Sequence, residues 1–203
     1  MAAYTTSYTT SYTTLISSGL GLAIALAAGG ALAQGQADKG SYKIDPVHSQ
    51  ALFTVGHLGM SRLTGRFDSL KGELTVDAGG GTVKAEIEVA SVDTNFADRD
   101  KHLRSPDFFN AAQFPKMTFE SSSVSLPAGA EGTLAGNLTL HGVTRPVVFK
   151  LVHVGAGKDP WGGYRSGYQA SGVIKRSDYG MKFMLGALSD EVEVRLNIEA
   201  IKQ

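Results

Sequence analysis

Apolar residues recur at every second position along much of the chain. In the clearest case Val192, Val194, Leu196, Ile198 and Ala200 alternate with Glu191, Glu193, Arg195, Asn197 and Glu199. A two-residue period sends alternate side chains to opposite faces of an extended strand, so this run predicts a strand with one dry and one wet face. The same alternation predicts strands through Val83, Ala85, Ile87 and Val89, through Leu70, Gly72, Leu74 and Val76, and through Leu134, Gly136, Leu138 and Leu140. Ala51, Phe53 and Val55 open the series, and Met117 and Phe119 extend it. Turn chemistry separates the runs: Gly79-Gly80-Gly81, Pro127-Ala128-Gly129-Ala130, His141-Gly142 and Asp159-Pro160-Trp161-Gly162-Gly163. Glycine supplies positive φ at such places and proline stops a strand or starts a turn.

Residues 95–112 break the alternation. Asp100 and Arg104 stand at helical i,i+4 spacing. Ser105-Pro106-Asp107 reads as an N-cap, a first-turn proline and a favourable acidic residue. One or two short helices are expected here, with Phe108 and Phe109 turned inward. About eight one-sided strands without βαβ alternation predict an all-β antiparallel sheet that must cover its dry face. An eight-stranded antiparallel barrel does so and leaves no edge. A two-sheet sandwich fits the same pattern.

The chain has 203 residues, a formal net charge of zero and no cysteine. Zero net charge supplies no general field for nucleic acid or for an anionic membrane, and both are set aside as partners at this point. The absence of cysteine removes disulfides, thiolate nucleophiles, zinc fingers and iron–sulfur clusters. Every charged side chain lies from Asp38 onward. Before it, Leu15 to Ala28 is apolar or small, and Ala31-Leu32-Ala33 follows. This reads as a secretory signal over residues 1–33, cut after Ala33, although a Tyr-Thr-Thr-Ser repeat stands where the n-region is usually basic. The competing reading is an uncleaved anchor, but the run is shorter than the ~20 residues that span a bilayer. Residues 34–41 are then a short linker and residues 42–203 one domain outside the cytoplasm.

Candidate chemistry is sparse. His48, His57, His102, His141 and His153 show no metal-ligand spacing, and no nucleophile motif is present. Asp45 and His48 resemble a dyad without a nucleophile. No catalytic residue, metal or cofactor is therefore expected, and each histidine is expected in an ordinary hydrogen-bonded role. The dry faces mix large residues with small ones: Ala51, Gly72, Ala85, Gly136, Ala170 and Gly172. An eight-stranded barrel either fills with side chains or holds one small ligand, and the pattern leaves both open.

Five blocks carry a resemblance. Tyr42-Lys43-Ile44-Asp45-Pro46-Val47-His48-Ser49 leads to Phe53-Thr54-Val55-Gly56-His57-Leu58-Gly59-Met60-Ser61 and Gly65-Arg66-Phe67. Arg99-Asp100-Lys101-His102-Leu103-Arg104-Ser105-Pro106-Asp107-Phe108-Phe109 and Phe114-Pro115-Lys116-Met117-Thr118-Phe119 follow. Then come Gly136-Asn137-Leu138-Thr139-Leu140-His141-Gly142-Val143-Thr144-Arg145-Pro146-Val147, Arg176-Ser177-Asp178-Tyr179-Gly180-Met181 and Asp190-Glu191-Val192. In this order, from Tyr42 to about Ala200, they resemble the YceI-like family of bacterial lipocalin-like proteins. The resemblance implies an extended eight-stranded barrel with a helical insert. It implies an apolar bore holding a polyisoprenoid chain, such as the tail of a quinone or of an isoprenoid precursor, and a periplasmic location. No catalytic residue is carried over.

On that reading the bore-lining candidates are Phe53, Val55, Phe67, Leu74, Phe119, Leu138, Phe149, Val194 and Leu196, which are large and lie on dry faces. The mouth candidates are His57, Arg99 and His102, polar residues within family blocks; the alternative is that they tie down the helical insert. Three functions stay open: a carrier or reservoir of isoprenoid lipid, a stress-linked scavenger of apolar compounds, and an enzyme acting on such a lipid. The expected partner is an isoprenoid lipid. No membrane insertion is expected after signal cleavage, and a homodimer is left open.

Overall fold

In this computed structural model, residues 36–78, 80–127 and 131–203 are described. The expected signal segment lies outside them. The elements are β1 (Gly40–Ile44), β2 (Gln50–His57), β3 (Ser61–Phe67), β4 (Leu70–Asp77), β5 (Gly80–Glu88), β6 (Val92–Asp93), α1 (Ala97–Leu103), β7 (Lys116–Ser125), β8 (Gly132–Leu140), β9 (Val143–Lys158), β10 (Tyr164–Lys175) and β11 (Leu188–Lys202). All strand pairs are antiparallel.

The neighbours run β1-β4-β5-β7-β8-β9-β10-β11, and β11 returns to β1 to close the ring. Closure rests on Tyr42↔Lys202, Lys43↔Ile201 and Ile44↔Ala200. The remaining length of β11 pairs with β2, from Leu196↔Ala51 to Leu188↔His57. Strand β3 continues outward from β2, and β6 adds only Arg66↔Asp93 and Phe67↔Val92. The barrel thus has the eight staves that the alternation predicts. Three of them are broken: β1/β2, β3/β4 and β5/β6.

Two of the breaks have identifiable side-chain causes. Asp45 accepts the backbone N–H of Val47, turning the chain just before Pro46 could continue a ladder. Ser49 stitches that turn to β11, donating to the Glu199 carbonyl and accepting the Glu199 N–H. At the next break Ser91 accepts the Asp68 N–H at its carbonyl and the Ser69 N–H at its hydroxyl. Serine side chains thereby replace ladder bonds that the bent staves cannot make.

The hairpin turns β4–β5, β7–β8 and β9–β10 gather at one end, the turn end. The β2–β3 turn, the insert with α1, and residues 176–187 gather at the other, the insert end. Many of the buried apolar side chains of the larger core cluster lie in or towards that second end, including Val89, Val92, Leu140, Tyr179 and Met181. Phe53, Phe67 and Phe109 meet there with ring centroids 5.4–6.3 Å apart.

The insert corrects two expectations. A single helix forms, α1, and Ser105-Pro106-Asp107 makes successive turns instead of a second helix. Asn110 sits at φ 48°, which ends any right-handed run. Asp100 and Arg104 keep helical spacing, with the Arg104 N–H donating to the Asp100 carbonyl. Their side chains do not pair. The Asp100 carboxylate accepts from the N–H and hydroxyl of Thr94, and Arg104 donates to the carbonyls of Ala90 and Val92. Phe109 faces inward as expected.

Candidate functional site: the barrel bore

The dry faces of the staves enclose a cavity of about 650 Å³ that runs between the two ends. Phe53, Val55, Phe67, Leu74, Phe119, Leu138, Phe149, Val194 and Leu196 all line it. Aliphatic residues make up much of the remaining wall, with Ala51, Val83, Ala85, Leu134, Leu151 and Ala170 among them. The three alanines leave space beside their larger neighbours. The glycines behave differently. A Cβ on Gly136 would lie 2.5 Å from Cζ of Phe119, and one on Gly172 would lie 2.7 Å from Cδ1 of Phe149. Those phenylalanine rings lie across the glycines of the next stave, so Gly136 and Gly172 seat a ring and do not widen the bore.

The bore opens at the turn end. Exposed Gln36, Asp77, Pro127 and Glu131 line it there. At the insert end Leu103, Phe108, Arg176, Met181 and Leu188 close it, all buried or half-buried. The mouth candidates do not form a mouth. His57, Arg99 and His102 all belong to the insert end, and none lines the cavity. Arg99 donates to the hydroxyl and carbonyl of Thr94, 2.7 Å each, and lies over the Phe96 ring. His102 bonds Asp107 at 2.9 Å and stacks edge-on with Phe108 and Phe183. Arg99 and His102 tie the insert down, which is the structural role weighed for them above.

Three polar residues of the bore were missed. Arg176 is 5% exposed. Its Nε donates to the Ser189 carbonyl, Nη1 to those of Met181 and Phe183, and Nη2 to that of Leu188, at 2.7–3.2 Å. Four of its five N–H groups are thus spent on carbonyls that shape the floor. Burial lowers its pKa, and Asp190 counters part of that. The sequence signal was present: the alternation Tyr168, Ala170, Gly172, Ile174 continues to Arg176, a charge in dry register. His153 and Tyr168 also face the cavity. His153 Nε2 lies 3.1 Å from Ser166 Oγ, and burial lowers the His153 pKa, favouring the neutral ring. The Tyr168 hydroxyl is buried without a partner among the described residues.

A second polar cluster sits outside the bore, at the first break. Arg165 Nη1 donates to Asp45 Oδ2 at 2.6 Å and Glu199 Oε1 at 2.5 Å, and its Nε to Asp159 Oδ2 at 2.9 Å. His48 Nδ1 lies 2.8 Å from Asp45 Oδ2. Asp45, His48 and Glu199 have ligand atoms close enough to share a cation. The guanidinium of Arg165 already occupies that position. Its hydrogen bond, with that of His48, holds the Asp45 carboxyl well below the usual carboxylate range. Among the described residues no nucleophile bonds the second ring nitrogen of His48. The pair is a clamp on the kink.

An antiparallel barrel with an apolar bore, open at one end and floored by a helical insert, defines the class of hollow lipocalin-like barrels. The model of the YceI-like domain matches residues 42–200. The chain is 48% identical over 185 residues to a UPF0312 protein of Pseudomonas aeruginosa, covering 88% of this chain and 96% of that one. It is 41% identical over 187 residues to a UPF0312 protein of Shewanella sp., covering 90% and 98%. Among solved structures, a Campylobacter jejuni YCEI protein superposes with a TM-score of 0.65 at 29% identity, over 73% of this chain and 90% of that one. Burkholderia cenocepacia BcnA superposes at 0.68 with 22% identity, over 77% and 98%. A domain from Saccharophagus degradans described as polyisoprenoid binding superposes at 0.62 with 21% identity, over 82% and 100%. The last two share the fold. The chain belongs to the YceI-like family.

Proposed function

We propose that this protein is a carrier or reservoir that holds one long polyisoprenoid chain in its bore, outside the cytoplasm. The observation that carries the reading is the cavity itself: a long apolar channel in which the one buried cation among the described residues, Arg176, is already bonded to carbonyls. Burying a hydrocarbon tail there gains roughly 25 cal/mol for each Å² of apolar surface removed from water. Such binding requires no ion pair and no catalytic group. The description of the Saccharophagus degradans domain, which shares the fold, agrees with it. The reading makes the protein a binder and not an enzyme, since among the described residues no nucleophile bonds His48 and the carboxylates that line the bore, Asp77 and Glu131, stand at its mouth. The uncharged apolar run before Ala31-Leu32-Ala33 supports export. Among the described residues no helix is long and apolar enough to cross a membrane.

Organic extraction of protein purified from its own organism, followed by mass spectrometry, tests the reading. A co-purified prenyl lipid in near-stoichiometric amount is expected. A mixture of unrelated apolar compounds would favour the scavenger, and an empty bore with no prenyl-lipid binding in titration would refute both. Amino-terminal sequencing of the same sample should begin at Gln34; an intact Met1 in the membrane fraction would mean an anchor.

A further inference from the structure

The insert end carries an apolar crown that neither the bore nor the core uses. Leu58, Met60, Phe183, Met184 and Leu185 are each between 40% and 86% exposed. Two loops supply them. The β2–β3 turn holds Leu58 and Met60, and the segment before β11 holds the other three. The loops are fastened together where the Leu58 N–H donates to the Ala187 carbonyl at 2.6 Å.

Two features separate this crown from scattered surface apolars. The first is backbone. Leu58 and Met184 both sit at φ 53°, a left-handed conformation that suits Gly or Asn and disfavours large side chains. In the three-residue β2–β3 connection, Leu58 and Gly59 hold the two positive-φ turn positions that ordinarily take Asn-Gly. Strain is accepted at two adjacent loop tips, and at each the residue shown to solvent is bulky and apolar. The second feature is charge. Lys182 lies in the crown and Lys101 on α1 beside it, both exposed and without a carboxylate partner among the described residues.

We infer that the crown is a docking surface for an anionic lipid bilayer, into whose interface the two loop tips insert. Apolar tips flanked by free lysines match an anionic interface in both hydrophobicity and sign. The crown is also continuous with the bore floor: Phe183 stacks on Phe108 at 5.3 Å, and Phe108, Met181 and Leu188 line the cavity. The choice of a bilayer rests on the proposed cargo, because a free polyisoprenoid is dissolved in membranes.

Vesicle co-sedimentation tests this with the protein as recovered from its native export route. Vesicles of phosphatidylethanolamine with phosphatidylglycerol are compared with phosphatidylcholine alone. Binding is expected for the first and weaker binding for the second. The variant Leu58→Asn/Met184→Asn should lose at least about tenfold in vesicle affinity. Its thermal midpoint should hold or rise, because asparagine suits positive φ. Depth is read separately. The chain has a single tryptophan, Trp161, in the β9–β10 turn at the mouth end. Brominated lipid should leave its fluorescence unchanged, and should quench the indole introduced by Met60→Trp in a Trp161→Phe background.

Equal vesicle binding by the asparagine variant, or quenching of Trp161 in place of the introduced indole, overturns the inference. So does a wild type that ignores vesicles but forms a dimer which the variant breaks, since the crown then covers a second copy. Prenyl-lipid titration in detergent is run on the same samples. A wild type that binds vesicles through the crown but takes up no prenyl lipid refutes the carrier reading and leaves the docking surface standing.

Discussion

Replacing Arg176 by methionine removes the clip that holds the floor of the bore. The guanidinium makes four hydrogen bonds to carbonyls of residues 181–189. Bonds from a charged donor contribute about 1.5–3 kcal/mol each, so four give roughly 6–12 kcal/mol gross. Against that stands the cost of burying a guanidinium, several kcal/mol. The released loop also lets water reach some of the carbonyls. The net loss expected for Arg176→Met is about 3 kcal/mol. In a domain of this size each kcal/mol moves the midpoint by about 2–4 °C, so Tm should fall by roughly 6–12 °C. Local opening is read by trypsin at Lys182, which is exposed within the clipped loop and should be cut faster. Arg176→Lys should recover no more than about half, because one ammonium with three donors cannot serve four carbonyls arranged around a planar fork. An Arg176→Met protein that melts within about 2 °C of wild type and is cut no faster at Lys182 would refute the reasoning.

Leu138→Trp and Val194→Trp test whether the bore is hollow: in a filled core each should cost roughly 1–3 kcal/mol. Here the delipidated protein should lose less while prenyl-lipid affinity falls at least about tenfold; large stability losses in both would contradict the cavity. Gly172→Ala should destabilise by about 1–3 kcal/mol through its contact with the Phe149 ring, and most of that loss should vanish in a Phe149→Leu background. Strict additivity in that double-mutant cycle would show that the ring is not the obstacle. Acid stability follows Asp45, Asp159 and Asp190, whose carboxyls are held low, the first two chiefly by Arg165 and the third by Ser177. Folded values below unfolded ones give stability that is complete above the unfolded carboxyl range, about pH 4, and lost as pH falls through the folded values. Tm should therefore be level from neutral pH to about 5 and decline below about 4, and Arg165→Gln should flatten that decline. A Tm that climbs on acidification would exclude the clamp.

The alternation around Val192 to Ala200, and its counterparts in β4, β5 and β8, made the staves legible because a half-buried strand must repeat every two residues. The same rule located all nine residues proposed to line the bore around the cavity. It was weakest where both faces are apolar: in β9, Val147 and Phe149 turn inward while Val148 stands 65% exposed. The breaks were not legible because their causes are distant in sequence. Asp45 turns the chain in concert with Arg165, 120 residues away, and residues 68–69 are held by Ser91. The mouth was misplaced for a related reason. His57, Arg99 and His102 are conspicuous as polar residues, but which end of a barrel stays open depends on how its turns and its insert close. Glycine was ambiguous in the same way. Gly136 and Gly172 look like vacancies in a one-dimensional pattern and prove to be seats for rings from the next stave.

The broken staves divide the barrel into parts fastened to different degrees. The ring from β1 through β4 and β5 to β11 closes on itself without β2 or β3. The β2–β3 hairpin is joined to that ring by one full ladder, to β11, and by the two residue pairs to β6. Opening fluctuations that release the hairpin leave the ring intact, so its amides belong to a separate, less protected unit of hydrogen exchange than those of β8 to β10. Phe53, Val55 and Phe67 travel with the hairpin, and they are bore wall. A lifted flap would give the bore a side opening besides the mouth at the turn end, and the rate of lifting would then add to exchange independently of how tightly the contents are held. Affinity and residence time become separately adjustable: the first through the ring, the second through one ladder and the serines at its corner.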